Sequence, residues 1–195
     1  SIGGDGTLLK AVTYVRDYEI PILGINTGRL GFISSISSEQ IDEAINDVLN
    51  KKYTINERTL LELETKKNLF GENNFALNEV AVSKKDTSSM IKIDAYVDNE
   101  FLNTYWADGL VVSTPTGSTG YSLSCGGPII MPGTNNIIIT PNAPHNLNVR
   151  PIVIDDNSTV KLKVEDRDQL ALVSLDSRSR AFNRTTELII KKAKF

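Results

Sequence analysis

The strongest constraint on the fold is a change in the spacing of apolar residues near position 57. Before this point, apolar residues fall on one face of a predicted helix over 39–50, and Ser37 with Gln40 has the spacing of a capping box. After it, single apolar residues alternate with charged ones, as in 160–164, which is the period of half-buried strands. The chain is therefore predicted to begin with mixed helix and strand and to continue as a β-rich region.

Shorter segments add detail to this division. In the first part, a helix is predicted from Leu8 and a short buried strand over 20–25, because the apolar run there is bounded by turn-forming residues. In the second part, Asp98-Asn99 separates two apolar pairs and predicts a two-residue hairpin turn. The last stretch, 183–195, contains a further strand that is compatible with either part, with a return to the first domain as one option.

Composition is that of an ordinary globular protein. The 195 residues are 40% hydrophobic and 23% charged, and no apolar run approaches the roughly 20 residues that a membrane-spanning helix needs. A single cysteine, Cys125, and a single histidine, His145, exclude an internal disulfide and multi-cysteine or multi-histidine metal sites. The net charge of -3 gives little support to nucleic-acid binding. Without a signal peptide or a membrane segment, we expect a soluble, cytoplasmic protein.

A glycine-rich loop precedes the first predicted helix. It reads Gly3-Gly4-Asp5-Gly6-Thr7. Glycines let the backbone approach a ligand closely, and a helix N-terminus offers unsatisfied N–H groups to an anion, so the loop indicates a phosphate-binding turn. Asp5 repels phosphate, which makes it a candidate general base on a hydroxyl nucleophile or a partner of phosphate-bound Mg²⁺. The structural alternative is a helix-capping aspartate in a tight turn.

The most unusual run of the chain lies at 108–124. A short apolar strand leads into a dense series of hydroxyl residues and glycines, which is poor core material but can line a ribose and pyrophosphate site. Tyr121 adds an aromatic face that can stack on a base or on a nicotinamide ring. A Ser/Thr-rich turn in a β-domain explains the same run without a ligand. A second glycine and hydroxyl element in one chain weakens that alternative.

Two polar residues, Asn78 and Glu79, interrupt an otherwise apolar predicted strand over 75–82. Adjacent strand residues point to opposite faces, so one of the two is expected to face inward. A buried amide or carboxylate is costly unless it has a partner. The alternative fits the spacing equally well: Glu79 faces solvent and Asn78 bonds a neighbouring loop.

Together these motifs resemble the NAD kinase family. The glycine and aspartate loop alone is a weak signal, because diacylglycerol and sphingosine kinases carry similar loops. The specific signal is that five blocks occur together in the family's order. The matching blocks are 3–7, 26–32, 77–79, 108–109 with 114–119, and 140–145 with 150–151.

The resemblance implies a division of the chain into domains. It implies an α/β, Rossmann-like nucleotide (ATP) domain over 1–57, followed by an all-β-rich NAD-binding domain over 58–182. The family normally has a βαβ region before the glycine and aspartate motif. The first domain is therefore expected to be truncated at its N-terminus.

The resemblance also implies an activity. NAD kinases transfer the γ-phosphoryl group of ATP, or of polyphosphate in some members, to the 2′-hydroxyl of the adenosine ribose of NAD, which gives NADP. Mg²⁺ or another divalent cation accompanies ATP, the partners are the small molecules NAD and ATP, and a homodimer or homotetramer is expected. Two alternatives stay open. One is a lipid kinase of the diacylglycerol type that shares the loop, and the other is an NAD-binding module that is inactive as this stretch of chain.

The resemblance assigns roles to individual residues. Asp5 is implied as the catalytic base that accepts the proton of the ribose hydroxyl. Phosphate and nucleotide binding is implied for Gly3, Gly4, Gly6, Thr7, Gly31 and Phe32. NAD binding is implied for Asn78, Glu79, Asp108, Thr116, Thr119, Gly120, Tyr121, Ser122, Ser124, Ala143 and Arg178. Arg178 stands where many members have glutamine, and no metal ligand is assigned.

Overall fold

A computed structural model describes the chain over residues 1–28, 31–34, 36–85, 89–165 and 170–195. The chain divides into two units. The first is Ser1–Glu57 together with Phe195, and the second is Arg58–Lys194. Within these described ranges, no helix is long and apolar enough to cross a membrane.

The first unit combines helices with a short parallel sheet. Helix α1 spans Asp5–Val15 and helix α2 spans Ile41–Leu49. Strand β1 (Ile25–Asn26) pairs in parallel with strand β2 (Ile36–Ser37). A parallel pair needs a crossover connection rather than a tight turn. The prediction of an α/β first part is confirmed.

Helix α2 begins close to where the sequence predicts, after a 3-10 turn at Ser38–Gln40. The Gln40 side chain accepts the N–H of Ser37 at 3.2 Å, and the Ser37 side chain accepts a backbone N–H in return. These two bonds are the predicted capping box. The apolar face of α2 is less buried than its spacing suggests, since Leu49 is 74% exposed.

In the second unit, the described residues form the strands β3 (Leu61–Glu64), β4 (Phe75–Ala76), β5 (Glu79–Lys84), β6 (Ile91–Val97), β7 (Glu100–Ala107), β8 (Gly109–Ser113), β9 (Asn136–Asn142), β10 (Ile152–Asp155), β11 (Val160–Glu165), β12 (Leu170–Leu175), β13 (Arg178–Asn183) and β14 (Leu188–Lys192). Over these described ranges the strands make two six-stranded antiparallel sheets, with the orders β10-β9-β8-β5-β12-β13 and β4-β3-β14-β11-β6-β7. A 3-10 turn, Thr116–Thr119, and the short helix α3, Tyr121–Ser124, follow β8.

The core of the second unit follows the alternation in its sequence. In β11, Val160, Leu162 and Val164 are buried, whereas the lysines between them are partly or fully exposed. These residues share one core cluster with Val112 and Ile139 of the other sheet. Apolar faces of two sheets thus form a single core, as in other β-sandwiches. The prediction of a β-rich second part is confirmed.

The C-terminal strand β14 lies in the second unit. It pairs with β3 on one side and with β11 on the other, and its Leu188 and Ile190 are fully buried in the shared core. A strand with two neighbours and a buried apolar face has its backbone and side chains satisfied there. Of the two options for this strand, the return to the first domain is therefore not seen.

The predicted turn at Asp98-Asn99 joins β6 and β7 and gives a testable prediction. Both residues have positive φ, 52° and 70°, where a side chain with a Cβ costs about 1–2 kcal/mol. We expect Asn99→Ala to lower the free energy of unfolding by about 1 kcal/mol relative to Asn99→Gly, since glycine adopts this conformation freely. Both variants lose the same bond from Lys161. Urea unfolding measures the difference, and equal midpoints would contradict it.

Candidate functional site

The predicted site residues form two groups, one in each unit. In the first unit, Gly4 is the N-cap of α1 and Asp5 is its first residue. The Asp5 carboxylate accepts the N–H of Phe32 on Oδ2 at 2.9 Å. Its Oδ1 accepts the N–H of Ile33 at 3.2 Å and that of Ser34 at 3.0 Å. The helix-capping alternative for Asp5 is therefore wrong: its carboxylate binds a second loop, at 32–34.

Two glycines make this arrangement possible. A Cβ at Gly31 would lie 2.2 Å from Oδ1 of Asp5, so any side chain there would displace the carboxylate. Gly3 has a φ of +148°, and a Cβ would lie 2.3 Å from Oγ1 of Thr7. Both positions therefore require glycine for close packing and, at Gly3, for backbone conformation.

The other predicted residues of the first group are accessible. Gly4, Gly6 and Thr7 are exposed, and a Cβ at either glycine would meet nothing within 4 Å. Phe32 is also exposed, whereas positions 29–30 of the same motif lie outside the described residues. Open backbone at the N-terminus of a helix can present N–H groups to an anion.

In the second unit, the loop 77–79 leads from β4 into the first residue of β5, and one carboxylate holds it. Asp176 accepts all three of its N–H groups. Its Oδ2 accepts from Leu77 at 3.1 Å, and its Oδ1 accepts from Asn78 at 2.8 Å and from Glu79 at 3.3 Å. The N–H groups of this loop are therefore satisfied by a side chain from the turn between β12 and β13.

The carbonyl groups of the same loop are held by the polar run after β8. The hydroxyl of Thr114 donates to the Leu77 carbonyl at 2.6 Å, and the N–H of Thr114 donates to the Asn78 carbonyl at 2.9 Å. Gly117 lies so close that a Cβ would be 2.0 Å from the Asn78 carbonyl oxygen. The loop is thus fixed on both sides, and Gly117 cannot be replaced without moving it.

Two side-chain acceptors of this fixed loop have no partner. Asn78 Oδ1 and Glu79 Oε2 are buried, and neither accepts a hydrogen bond from the part of the chain that the structure describes. Glu79 is 8% exposed, so the expectation of an inward-facing residue is confirmed and the solvent-facing alternative is wrong. Buried acceptors without a donor are rare and costly. These two atoms therefore mark the place where a ligand could supply donors.

Burial, helped by the nearby charge of Asp176, raises the pKa of Glu79 to about 7, although the N–H of Tyr121 acts in the opposite direction. Burial also raises the pKa of the Tyr121 hydroxyl, with added contributions from Cys125, Asp108 and Glu79. The charges of these groups are thus close enough to influence one another.

Tyr121 and its neighbours border the unpartnered carboxylate oxygen. A Cβ at Gly120 would lie 3.4 Å from Glu79 Oε2, which places the backbone of this glycine directly beside it. Tyr121 is 39% exposed, and its hydroxyl accepts a bond from Asn142 at 2.8 Å. The exposed ring can stack on an aromatic ligand.

Three predicted hydroxyl residues have internal partners. The hydroxyl of Ser122 is fully buried and lies 3.0 Å from that of Thr140. The Thr116 hydroxyl accepts a bond from Arg58 at 3.3 Å, and the Thr119 hydroxyl donates to the Thr116 carbonyl at 3.4 Å. Their contacts with NAD stay predictions.

Arg178 lies directly beyond the turn that carries Asp176. Its guanidinium donates to the carbonyls of Asn73, at 2.6 Å, and Phe75. One of its nitrogens is 3.8 Å from Asp176. Arg178 thus holds the segment that leads into the loop 77–79, and its predicted contact with NAD stays a prediction.

The remaining predicted residues lie at accessible positions. Asp108 is partly exposed and forms an ion pair with Lys84 at 2.7 Å. Ser124 and Ala143 are exposed, and Ala143 has a φ of 47°. Within the described ranges, no group of three or more His, Cys, Asp or Glu side chains could hold a metal ion.

Sequence reasoning assigned no role to Asp176 or Thr114, although both organise the loop 77–79. Asp176 lies in the two-residue turn between β12 and β13, where a carboxylate often bonds backbone N–H groups, but neither strand is predicted from the sequence. Nothing local identifies which N–H groups it reaches, because the loop lies about a hundred residues earlier in the chain.

Comparisons with known proteins agree with this architecture. The family model of the ATP-NAD kinase N-terminal domain matches residues 1–53, and that of the C-terminal domain matches residues 77–194. The NAD kinase of Flavobacterium psychrophilum is 56% identical over 197 residues, and that of Christiangramia forsetii is 53% identical over 196 residues. Both cover the whole chain, which spans 67% of each relative.

Two solved structures are similar in fold. Yeast NADH kinase complexed with NADH has a TM-score of 0.90 at 29% identity, covering 98% of this chain and 57% of the yeast chain. An NAD kinase from Archaeoglobus fulgidus in complex with ATP has a TM-score of 0.85 at 30% identity, covering 100% of this chain and 74% of the archaeal one. Both family models are of ATP-NAD kinases, and these two structures are of an NADH kinase and an NAD kinase. The chain belongs to the NAD kinase family.

The contact between Asp5 and the loop 32–34 gives a prediction with a matched control. We expect Gly31→Ala to displace the carboxylate, so that the 32–34 amides lose their acceptor and exchange hydrogen at least about tenfold faster. Gly28→Ala is the control, since its Cβ would meet only a side-chain oxygen of Asn26, at 3.9 Å. Amide hydrogen exchange followed by NMR measures both, and equal rates would contradict the prediction.

The raised pKa of Glu79 predicts how stability depends on pH. Below pH 4.5 the carboxyl is protonated in the folded and unfolded states, but between pH 4.5 and about 7 the folded protein resists ionisation and loses stability. We therefore expect the free energy of unfolding of Glu79→Gln, relative to that of the natural protein, to be roughly 2–3 kcal/mol higher at pH 8 than at pH 4. Denaturant unfolding at both values measures this. Glu100→Gln, on the exposed β6–β7 hairpin, controls for the loss of an acid. An equal gain in stability in this variant would contradict Glu79 as the source of the pH dependence.

Proposed function

We propose that this chain carries the nucleotide-binding and catalytic groups of an NAD kinase, which transfers the γ-phosphoryl group of ATP to the 2′-hydroxyl of the adenosine ribose of NAD. The observation that carries this proposal is the pair of buried acceptors without donors, Asn78 Oδ1 and Glu79 Oε2. They belong to the residues that the family resemblance assigns to NAD, and the chain belongs to that family.

We infer that NAD binds to the second unit. Ribose hydroxyls and the adenine amine are donors, and a donor placed at Asn78 Oδ1 or Glu79 Oε2 would remove the cost of a buried, unsatisfied acceptor. The exposed ring of Tyr121 would stack on one of the aromatic groups. The similar yeast enzyme was crystallised with NADH, which supports this use of the fold. A diacylglycerol has a single hydroxyl donor, too few for both acceptors, so the lipid kinase alternative lacks support.

The first unit is proposed to bind the phosphates of ATP. The open backbone at Gly4 and Gly6 and the N-terminus of α1 offer N–H groups to an anion. The similar archaeal NAD kinase was crystallised with ATP. A bound Mg²⁺ would neutralise the charge of the donor phosphates. Among the described residues no group of three or more acids could hold such an ion, so phosphate oxygens and water would be most of its ligands.

The hydrogen bonds of Asp5 leave one lone-pair position of its carboxylate open, so Asp5 can still accept a proton as a base. A carboxylate has about four lone-pair positions, and three N–H groups take two on Oδ1 and one on Oδ2. The remaining position on Oδ2 would accept the proton of the ribose hydroxyl. The ribose oxygen then bonds to the γ-phosphorus while the bond from the γ-phosphorus to the bridging oxygen of ADP breaks, and ADP leaves.

The proposal extends to the setting of the protein. We infer a role in NADP biosynthesis in the cytoplasm, which suits a chain whose cysteine, Cys125, is free. A homodimer or homotetramer follows from the family resemblance. The same assay can test polyphosphate in place of ATP as the phosphoryl donor.

The test is formation of NADP from NAD, ATP and Mg²⁺, read with an NADP-specific dehydrogenase. We expect Asp5→Asn to lower kcat by about 10²–10⁴-fold, because the amide cannot act as the base. Asp17→Asn, at an exposed position of the same unit, is the control and should retain full activity. Equal turnover in the natural protein and in Asp5→Asn would overturn the role of Asp5.

Other outcomes separate the alternatives. Activity on diacylglycerol without activity on NAD identifies a lipid kinase. Calorimetric binding of NAD without any turnover identifies an NAD-binding module.

A further inference from the structure

We propose that Asp176 is a positioning residue for NAD binding: it fixes the loop 77–79 so that Asn78 Oδ1 and Glu79 Oε2 face the ligand. This inference rests on the proposed function, because it names a group that prepares the same NAD site. Asp176 itself need not touch NAD. Its action is to accept the N–H groups of the loop that carries the two ligand-facing side chains.

The hydrogen bonds between Asp176 and the loop are numerous and buried. Besides its three carboxylate contacts, the N–H of Asp176 donates to the Glu79 carbonyl at 3.0 Å. The Asp176 side chain is 5% exposed, so water cannot easily replace it as acceptor. Asp176 thus makes four hydrogen bonds with three consecutive residues, which leave the loop little freedom to rotate.

Only a short carboxylate can do this. Three N–H groups converge on the Asp176 side chain, and a carboxylate is a pure acceptor with about four lone-pair positions. Asparagine would place an NH₂ donor against one of these N–H groups. The identity of this residue is therefore set by the number of acceptors it supplies.

The choice of an acid here has an electrostatic cost that a merely structural residue would avoid. Asp176 is buried beside a second buried acid, Glu79, and its charge raises the pKa of Glu79. Like charges in a poorly solvated site destabilise each other. A site that keeps both acids is better explained by the need to present Glu79 in one orientation than by stability.

Arg178 and Thr114 complete the support of the loop. Arg178 holds the carbonyls of Asn73 and Phe75, immediately before the loop, and its charge partly offsets that of Asp176. Thr114 holds the carbonyls of the loop itself. A ligand site whose supporting bonds are already made requires less ordering when NAD binds.

The test compares Asp176→Asn with Asp98→Asn. Asp98 is a close match, because it has the same φ of 52° in a hairpin turn and its carboxylate also accepts a backbone N–H, from Thr159 at 2.9 Å. We expect Asp176→Asn to raise KM and Kd for NAD at least about tenfold, since buried N–H groups lose an acceptor. KM for ATP should stay within about twofold. Asp98→Asn should change neither value.

A pH profile separates positioning from general loss of structure. Affinity for NAD is expected to rise as Glu79 ionises and becomes a better acceptor, with a midpoint set by its pKa of about 7. Removing the charge of Asp176 lowers this pKa, so the midpoint should move to lower pH in Asp176→Asn. A residue that only stabilised the fold would weaken binding at every pH without moving the midpoint.

Three results would overturn the proposal. The first is a folded Asp176→Asn protein with unchanged Kd for NAD, whatever its turnover. The second result needs no variant. The amides of 77–79 should exchange hydrogen at least about a hundredfold more slowly than an open loop in the ligand-free natural protein. Exchange at the rate of an open loop would show that Asp176 does not hold them. The third is a natural protein that does not bind NAD, which overturns the proposed function as well. If the natural protein binds NAD but forms no NADP, only the proposed kinase activity is contradicted.

Discussion

One buried carboxylate that accepts three consecutive N–H groups organises the candidate site of the second unit. Strand β4 ends at Ala76 and β5 begins at Glu79, so the residues between them lack the full ladder of a sheet. Asp176 supplies the missing acceptors, and Thr114 supplies donors to the carbonyls. Because the backbone is satisfied in this way, the side chains of Asn78 and Glu79 are left free for a ligand.

The first unit uses the same physical solution. There the carboxylate of Asp5 accepts the three N–H groups of 32–34, and Gly31 provides the room. In each unit a carboxylate joins segments far apart in sequence. Gly31 makes room for the Asp5 carboxylate, and Gly117 lets the run after β8 approach the Asn78 carbonyl. Glycine is needed at these two positions because a Cβ would clash with the neighbouring group.

The sequence predicts local features well because local rules govern them. The capping box at Ser37, the hairpin at Asp98 and the alternation in β11 all depend on neighbours within a few residues. The strand period predicts that one of Asn78 and Glu79 faces inward but does not say which. The partners of Asp5 and Asp176 do not follow from local rules, because hydrogen bonds between distant segments leave no periodic signal. Burial of Ser122, in α3, was missed for the same reason, since its partner Thr140 lies on strand β9.

The position of β13 has a consequence for how binding and local opening are linked. This strand is at the edge of its sheet, with β12 as its neighbour, and it carries Arg178. Edge elements open at lower free energy than the core. Opening of this edge would release the carbonyls of Asn73 and Phe75 and loosen the ligand loop while the other strands stay folded. A bound ligand would in turn hold the edge closed, so ligand binding and local opening of β13 would oppose each other.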